Sequence, residues 1–365
     1  NTTSANTTSA NTTSVNTTSV YTTNPSTALP ITNPEEAIYQ VIEKLTLEEK
    51  VKQMLVVHFD ETTGEAANAG EYGGYLFFAD FFKDRQPADV KRLLKQISEK
   101  SNTPYPLLLA VDEEGGTVNR ISGFTQYRSQ KFKAPQKIVN DEGIPGLIQD
   151  TKEKAQFLKE LGINLNLAPV ADVSTNPNSF IYSRTLGVSI DETSLAIAAM
   201  IKTMKEANIL SCLKHFPGYN DNVDTHEAVA VDGSSITELT KRLKPFQAGI
   251  RAGASTLMVS HIVIKAFDEK LPASLSAKAH EFIRRELGFQ GVIITDDLQM
   301  KGLTKITDDP FAMAVTSGND LLITDDPTTA LESIVQAVKD KTIDESQIDA
   351  ALVRLFKLKA TLNGD

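Results

Sequence analysis

Apolar and polar positions follow a regular pattern over most of the chain. From Pro34 onward, short apolar runs such as "MLVVHF" (54–59) and "PLLLAVD" (106–112) alternate with longer stretches in which apolar residues recur every three or four positions. The short runs are typical of strands that are buried on both faces, and the spaced positions are typical of amphipathic helices. The pattern therefore predicts strands and helices in alternation.

The number of apolar runs decides the fold class. We predict eight strands, at 54–59, 73–79, 106–112, 163–170, 209–216, 255–262, 291–297 and 320–326. Helical patterns separate most of these strands, and two more helices close the chain. Eight such units predict a (β/α)8 barrel of the TIM type. A doubly wound open sheet is the alternative, although no Gly-rich phosphate loop follows the first strand.

The N-terminal segment has a different composition from the rest. It repeats Asn, Thr, Ser and a small apolar residue, as in "NTTSANTTSA", with neither a helix period nor a strand period. Such a segment has little to bury, so we expect residues 1–33 to be a disordered linker ahead of a single catalytic domain at 34–365. The chain begins with Asn rather than Met. Together these features predict a processed, exported protein that is extracellular or tethered to the cell surface, and bacterial rather than eukaryotic.

Composition narrows the classes of partner. The 365 residues carry a formal net charge of −10, and acidic and basic residues are mixed without a basic stripe. We therefore expect no nucleic-acid partner. No apolar run approaches the roughly 18 residues that a membrane span needs, so no transmembrane segment is expected. The one cysteine, Cys212, lies in an apolar run and is interpreted as a small buried side chain.

Titratable and polar residues gather where the predicted strands end. These residues are His58, Asp60, Asp112, Glu113, Glu114, Lys214, His215, Ser260, His261, Asp296, Asp297, Asp325 and Asp326. Four of the five histidines lie at these ends or in the loop that follows one. The chemistry of a (β/α)8 barrel takes place at the C-terminal ends of its strands. This enrichment predicts an enzyme.

The strand at 291–297 ends in two aspartates, Asp296 and Asp297. A carboxylate at such a strand end faces the shared pocket, where Asp296 could act as a nucleophile, as a base or as a metal ligand. One of the two could instead cap the helix that follows. We assign the chemical role to Asp296 and the structural one to Asp297.

The stretch "KHFPGYNDNVDTHEA" (214–228) follows the strand at 209–216 and is unusually rich in titratable groups. Lys214 and His215 sit at the strand end, whereas Asp224 and His226 come later, on a loop that could reach over the pocket. A carboxylate beside a histidine raises the basicity of the imidazole and fixes its orientation, which suits general acid–base catalysis. A metal site is the alternative, but a tight ligand spacing such as HExxH is missing, and no cofactor is called for.

Further polar residues follow two other strands. "AVDEEGGTVNRISGF" places Asp112 at a strand end and Arg120 shortly after it, and "NPNSFIYSRTLG" carries Arg184. Asp112 and Arg120 could clamp a hydroxyl-rich ligand. Charged hydrogen-bonding groups around one carboxylate suit a sugar better than an apolar ligand.

Taken together, "DEEGGTVNR", "PVADVSTNPNSFIYSRTLG", "KHFPG…D…DTH" and "PASLS…LGFQGVIITDDLQM" resemble glycoside hydrolase family 3, in its β-N-acetylglucosaminidase branch. The motifs occur in the family's order over residues 34–340. The resemblance implies a retaining glycosidase with Asp296 as nucleophile and with His226, paired with Asp224, as acid/base. It further implies that the non-reducing N-acetylglucosamine binds to a set of five residues, Asp112, Arg120, Arg184, Lys214 and His215.

Three positions depart from the family pattern, without removing a catalytic group. Tyr219 replaces a histidine, Thr117 replaces an arginine, and Thr295 replaces the serine before the nucleophile. The expected function is exo-acting removal of β-linked N-acetylglucosamine, with peptidoglycan fragments (muropeptides) as the natural substrate.

Other functions stay open. A phosphorylase that resolves the same intermediate with phosphate is the nearest in mechanism, because a histidine acid/base tolerates an incoming anion. A β-glucosidase fits the "KHFPG…DTH" loop less well. An inactive sugar-binding barrel at the cell surface is the alternative from another class, but it would be expected to have lost at least one of Asp296, His226 and Asp224.

Overall fold

The structure is a computed structural model and describes residues 33–60, 70–219 and 229–363. The linker expected at 1–33 therefore lies outside the described residues, apart from Asn33. Asn33 caps the first helix by accepting a hydrogen bond from the Glu35 amide. None of the described helices is both long enough and apolar enough to span a membrane.

Eight parallel strands close into a barrel, as the apolar runs predict. These are β1 (Leu55–His58), β2 (Gly74–Phe77), β3 (Leu108–Val111), β4 (Leu165–Asn166), β5 (Leu210–Phe216), β7 (Thr256–Val259), β9 (Val292–Asp297) and β10 (Leu321–Thr324). Their order around the barrel is β1-β10-β9-β7-β5-β4-β3-β2, and β1 pairs with β2 to close it. Each strand lies inside its predicted range, and the (β/α)8 fold class is confirmed.

Helices surround the barrel. They are α1 (Pro34–Ile42), α2 (Leu47–Gln53), α3 (Ala79–Lys83), α4 (Pro87–Ser98), α5 (Pro135–Leu161), α6 (Ile190–Glu206), α7 (Ile236–Arg242), α8 (Lys244–Ala252), α9 (Ala277–Arg285), α10 (Lys301–Thr304), α11 (Pro310–Ser317), α12 (Pro327–Lys339) and α13 (Glu345–Ala360). Their apolar faces pack against the strands and form a continuous core with the strands' outward side chains.

The structure divides two segments that the sequence pattern treats as single elements. Apolar spacing predicts one helix over residues 235–253, but the structure has two helices there, α7 and α8, which meet at Leu243. Pro245 sits in the first turn of α8, where its missing N–H is tolerated. The strand predicted at 255–262 ends at Val259, and Ile262–Ile264 forms a separate strand, β8, that pairs with β6 (Ala230–Asp232).

Candidate active site

The C-terminal ends of the barrel strands surround a cavity of about 320 Å³. Six predicted site residues line it together: Asp112, Arg120, Arg184, Lys214, His215 and Asp296. They come from four segments, at or after the ends of β3, β4, β5 and β9, and closure of the barrel brings them to one place. The other two predicted residues, Asp224 and His226, lie outside the described residues.

Lys214, at the end of β5, is the centre of a buried charge cluster. Its Nζ lies 2.7 Å from Asp112 Oδ1 and 2.6 Å from Glu114 Oε1, and only 1% of the residue is exposed. Burial alone would lower the pKa of this ammonium, but the two carboxylates outweigh burial and raise the pKa above its ordinary value. Lys214 is therefore a fixed cation beneath the cavity.

Glu114 completes this cluster, although the sequence gives it no separate role. Its carboxylate receives two parallel hydrogen bonds from Arg184, from Nε at 3.0 Å and from Nη2 at 2.7 Å. Burial would raise the pKa of Glu114, but Lys214 and Arg184 hold it far below its usual range. A bidentate pair of this kind fixes the plane of the guanidinium, so Arg184 enters the cavity in one orientation.

His215 is held by Asp172, a second residue that sequence reasoning missed. His215 Nδ1 lies 2.8 Å from Asp172 Oδ2, and Arg184 Nη2 lies 3.2 Å from His215 Nε2. A guanidinium can only donate, so Nε2 accepts and Nδ1 carries the proton that it donates to Asp172. Asp172 is fully buried and also accepts the backbone N–H groups of His215 and Tyr219.

Arg120 lies on a loop that Glu113 organises. The buried Glu113 carboxylate accepts the backbone N–H groups of Arg120, Ile121 and Ser122, as well as the Ser122 hydroxyl. The Arg120 guanidinium lies 3.8 Å from Asp112 Oδ2 and 5.6 Å from the centre of the Phe78 ring. The predicted clamp of Asp112 and Arg120 is thus compatible with the geometry at the cavity mouth.

Asp296 and Asp297 both line the cavity, at the end of β9. Asp296 Oδ1 accepts the Asp297 amide at 2.9 Å. Asp297 does not cap the following helix, because α10 begins at Lys301 after Met300. Its Oδ1 instead accepts the Gln299 amide at 3.0 Å, and its Oδ2 lies 3.1 Å from His58 Nε2. The capping alternative is therefore wrong for Asp297.

The rest of the cavity wall is apolar. It consists of Leu76, Phe78, Val118, Leu167, Met258, Met300 and Ile323. A cavity with charged hydrogen-bonding groups on one wall and apolar side chains on another suits a ring with two kinds of face, as a sugar has. Within the described ranges, no group of three or more His, Cys, Asp or Glu side chains is arranged to hold a metal ion.

Tyr219, one of the departures from the family pattern, supports the site from the side. It is buried, and its ring meets the His215 ring edge-on, with the centres 5.3 Å apart. The Tyr219 ring also meets the Phe180 ring edge-on, with the centres 4.9 Å apart. Thr295 has a backbone role, since its hydroxyl accepts the Ile323 amide at 3.0 Å.

Comparisons with known proteins agree with this architecture. The model of the glycosyl hydrolase family 3 N-terminal domain matches residues 46–358. The β-hexosaminidase of Psychromonas ingrahamii is 32% identical over 275 residues, which is 74% of this chain and 80% of that protein. The β-hexosaminidase A of Pseudoalteromonas piscicida is 28% identical over 324 residues, or 80% of this chain.

Among solved structures, the glycoside hydrolase family 3 β-N-acetylglucosaminidase of Paenibacillus sp. str. FPU-7 superimposes with a TM-score of 0.79. It is 27% identical and matches 87% of this chain. The chain spans 54% of the Pseudoalteromonas protein and 63% of the Paenibacillus chain. The resemblance drawn from the motifs is confirmed. Because the family model covers nearly the whole barrel, the chain belongs to glycoside hydrolase family 3.

Proposed function

We propose that the chain is a retaining exo-β-N-acetylglucosaminidase that removes β-linked N-acetylglucosamine from the non-reducing end of its substrates. The observation that carries the proposal is the cavity in which Asp296 stands with Asp112, Arg184, Lys214 and His215. A volume of about 320 Å³ lies at the lower end of the ~300–1,000 Å³ typical of ligand sites, which favours a single sugar unit.

The fixed charges give each group a role in binding. Asp112, whose carboxylate is held by Lys214, can accept hydrogen bonds from sugar hydroxyls. Arg184 and Arg120 can donate to hydroxyl oxygens. The group is preorganised, because Glu114 fixes the Arg184 guanidinium, Asp172 fixes the His215 ring and Glu113 fixes the Arg120 loop before any substrate arrives. Preorganised polar groups lose little conformational entropy on binding and favour one orientation of the sugar ring.

The proposed reaction has two steps. Asp296 attacks the anomeric carbon as the glycosidic bond breaks, and the leaving oxygen takes a proton from His226, which Asp224 orients. Water then gives a proton to His226 and displaces Asp296, so that the sugar leaves with its original configuration. Most retaining glycosidases use two carboxylates, so a histidine in this position is a departure. A histidine also avoids the repulsion that a second carboxylate would feel from Asp296.

The test is release of p-nitrophenol from its β-N-acetylglucosaminide. Wild type should turn over, and Asp296→Ala should lose at least about a thousandfold in kcat/KM, because a covalent nucleophile is removed. Asp325→Ala, at the exposed end of the neighbouring strand, is the matched control and should keep full activity. Binding of N-acetylglucosamine without any turnover would instead favour an inactive sugar-binding barrel.

The same assay with phosphate decides between hydrolysis and phosphorolysis. We expect phosphate to leave the rate unchanged and the product to be free N-acetylglucosamine. A rate that rises with phosphate and a sugar phosphate as product would favour the phosphorylase.

We further propose an extracellular or surface-tethered location, on the basis of the Asn/Thr/Ser repeat at 1–33. As the natural substrate we propose peptidoglycan fragments, which contain β-linked N-acetylglucosamine. Mass spectrometry of muropeptides after incubation should show loss of one N-acetylglucosamine. Cell fractionation that recovers the protein only from the cytoplasm would contradict the location.

A further inference from the structure

Asp297, which follows the proposed nucleophile, has contacts through its amide, its carbonyl and its carboxylate. Its amide donates to Asp296 Oδ1 at 2.9 Å, and its carbonyl lies 2.9 Å from His261 Nε2 and accepts the Met300 amide at 3.1 Å. Its carboxylate lies 3.1 Å from His58 Nε2 and accepts the Gln299 amide at 3.0 Å. The two histidines come from β1 and from the residues after β7, so the contacts tie three strand ends together.

His261 holds the main chain of Asp297. The residue is fully buried, and its Nδ1 lies 2.7 Å from Ser274 Oγ. A carbonyl can only accept a hydrogen bond, so Nε2 carries a proton and donates it to Asp297, while Nδ1 pairs with the Ser274 hydroxyl. Both ring nitrogens are thereby used, and the ring is fixed in one orientation.

His58 holds the side chain of Asp297. Its ring packs edge-on against Phe78, with the centres 4.7 Å apart. Burial would raise the pKa of Asp297, but the neighbouring His58 imidazole and the Gln299 amide lower it, so the carboxylate stays ionised. The ionised carboxylate of Asp297 accepts the Gln299 amide and lies at ion-pair distance, 3.1 Å, from His58 Nε2.

As a consequence, the two carboxylate oxygens of Asp296 differ in their hydrogen bonding. Oδ1 is anchored by the Asp297 amide, whereas no hydrogen-bond donor of residues 33–60, 70–219 or 229–363 contacts Oδ2. An anchored Oδ1 leaves Oδ2 as the oxygen available to attack, in a direction set by the peptide plane between Asp296 and Asp297. That plane ends at the Cα of Asp297, and the contacts of the Asp297 carbonyl and carboxylate with the two histidines restrain this residue.

We propose that His58 and His261 are positioning residues that act through Asp297 to aim the carboxylate of Asp296. The inference rests on the proposed role of Asp296 as nucleophile. Misplacement of a reacting group by about 1 Å can cost on the order of a hundredfold in rate, so small shifts of this turn should be measurable.

The test compares His261→Leu and His58→Leu with His261→Gln and His58→Gln. The probe is 2-acetamido-2-deoxy-5-fluoroglucosyl fluoride, whose good leaving group and ring fluorine allow the covalent adduct to accumulate. Mass spectrometry of peptides measures the rate at which Asp296 is labelled. We expect the leucine variants to label at least about tenfold more slowly. The glutamine variants, which keep an N–H donor near the Nε2 position, should label within about threefold of wild type.

A measurement of sugar binding distinguishes misplacement of the Asp296 carboxylate from a general disruption of the site. The inhibition constant of free N-acetylglucosamine should change less than twofold, because the groups that bind the ring are untouched. Labelling of the leucine variants at the wild-type rate would overturn the proposal, as would an inhibition constant that rises in parallel with the loss of rate.

Further variants and outcomes distinguish a positioning role from misfolding and from a wrong assignment of Asp296 as nucleophile. His280→Leu, at a buried histidine on α9, is the matched control and should label like wild type. If His261→Leu does not fold, the labelling rates of His58→Leu and of the glutamine variants still test the proposal. His58→Leu is expected to fold because the His58 side chain is 20% exposed. A wild type that turns over substrate but forms no adduct at Asp296 would refute the nucleophile itself, an outcome distinct from equal labelling rates.

Discussion

Single residues in this site are fixed by buried charge rather than by shape alone. Lys214 and Glu114 are both almost fully buried, and each has partners of opposite charge within hydrogen-bond distance. A buried charge that loses its partner is strongly destabilising, so members of such a cluster depend on one another. Stability and sugar binding are therefore coupled at these positions.

Glu114→Gln should lower the free energy of unfolding by about 3–5 kcal/mol at pH 7, because Lys214 and Arg184 would lose their shared anion. Urea denaturation measures this. Glu153→Gln, which removes an exposed ion pair with Arg128, is the control and should cost less than about 1 kcal/mol.

Because the pKa of the Glu114 carboxyl group is shifted, we also expect stability to depend on pH. The pKa of Glu114 is lower in the folded chain than its ordinary value of 4.5, so its stabilisation is complete above about pH 4.5 and is lost as the pH falls below it. The difference between wild type and Glu114→Gln should therefore shrink below pH 4.5. A difference that stays constant down to pH 3 would contradict the assigned charge.

Asp172→Asn should lower kcat/KM about a hundredfold while the protein stays folded. One oxygen of Asp172 accepts from two donors of His215, and the other accepts from the Tyr219 amide. An asparagine must turn its NH2 either toward His215, which then loses its orientation or its tautomer, or toward the Tyr219 amide, which displaces the residue whose ring packs against His215. Steady-state kinetics measure the effect, with Asp340→Asn on the surface as control. Unchanged kinetics would show that the orientation of His215 is unimportant.

Sequence reasoning found the residues at strand ends more readily than their supports. Asp112, Lys214 and Asp296 follow apolar runs directly, so the barrel rule places them in the cavity. Asp172 lies within the apolar context "APVADV", where nothing local indicates a contact with a histidine 43 residues later. The pairing of His58 with Asp297 likewise depends on strand order, which only the closed barrel determines.

At the scale of elements, helix α13 carries an unusual group into the core. Lys359 is fully buried, and its Nζ lies 3.2 Å from Gln53 Oε1 and 5.8 Å from the centre of the Phe356 ring. No carboxylate of the described residues forms an ion pair with it. Burial lowers the pKa of Lys359 to about 7, so near neutral pH the folded chain holds it partly uncharged.

Lys359→Met should stabilise the protein, most strongly below about pH 7. The folded pKa is depressed, so the unfolded chain binds more protons between about pH 7 and the ordinary value of 10.5, and wild-type stability rises across that range. The advantage of methionine should be about 2 kcal/mol or more at pH 6 and should shrink toward pH 10. Chemical denaturation at several pH values measures this.

The control for this prediction is on the same helix. Lys357 is half-exposed and pairs with Glu35, so Lys357→Met should change stability by less than about 1 kcal/mol, without this pH dependence. A Lys359→Met variant that is less stable than wild type at pH 6 would show that the ammonium has a favourable role in the core.

Element types could be predicted better than element ends. The strands lie inside the predicted ranges because a buried parallel strand needs a continuous apolar run. The break between α7 and α8 was missed because apolar spacing continues through Leu243, and only Pro245 indicates a new first turn. The helical pattern predicts a helix only near residues 147–161, whereas α5 begins at Pro135, because Gly143 and Pro145 interrupt the pattern.

At the scale of the whole molecule, closure of the barrel brings residues from distant motifs together in one site. Lys214 and Asp112 are 102 positions apart in the chain yet form a direct ion pair. The eight-strand count could be predicted from the sequence, and with it the face that carries the chemistry. The detailed network could not, because hydrogen-bond partners depend on register and side-chain direction around the closed sheet.

Proton NMR of the first sugar released from p-nitrophenyl β-N-acetylglucosaminide tests the retaining mechanism most directly. Attack by Asp296 followed by attack of water inverts the anomeric carbon twice, so the β-anomer should appear first and the α-anomer only later, through mutarotation. An α-anomer formed first would mean direct displacement by water and would contradict a covalent intermediate on Asp296.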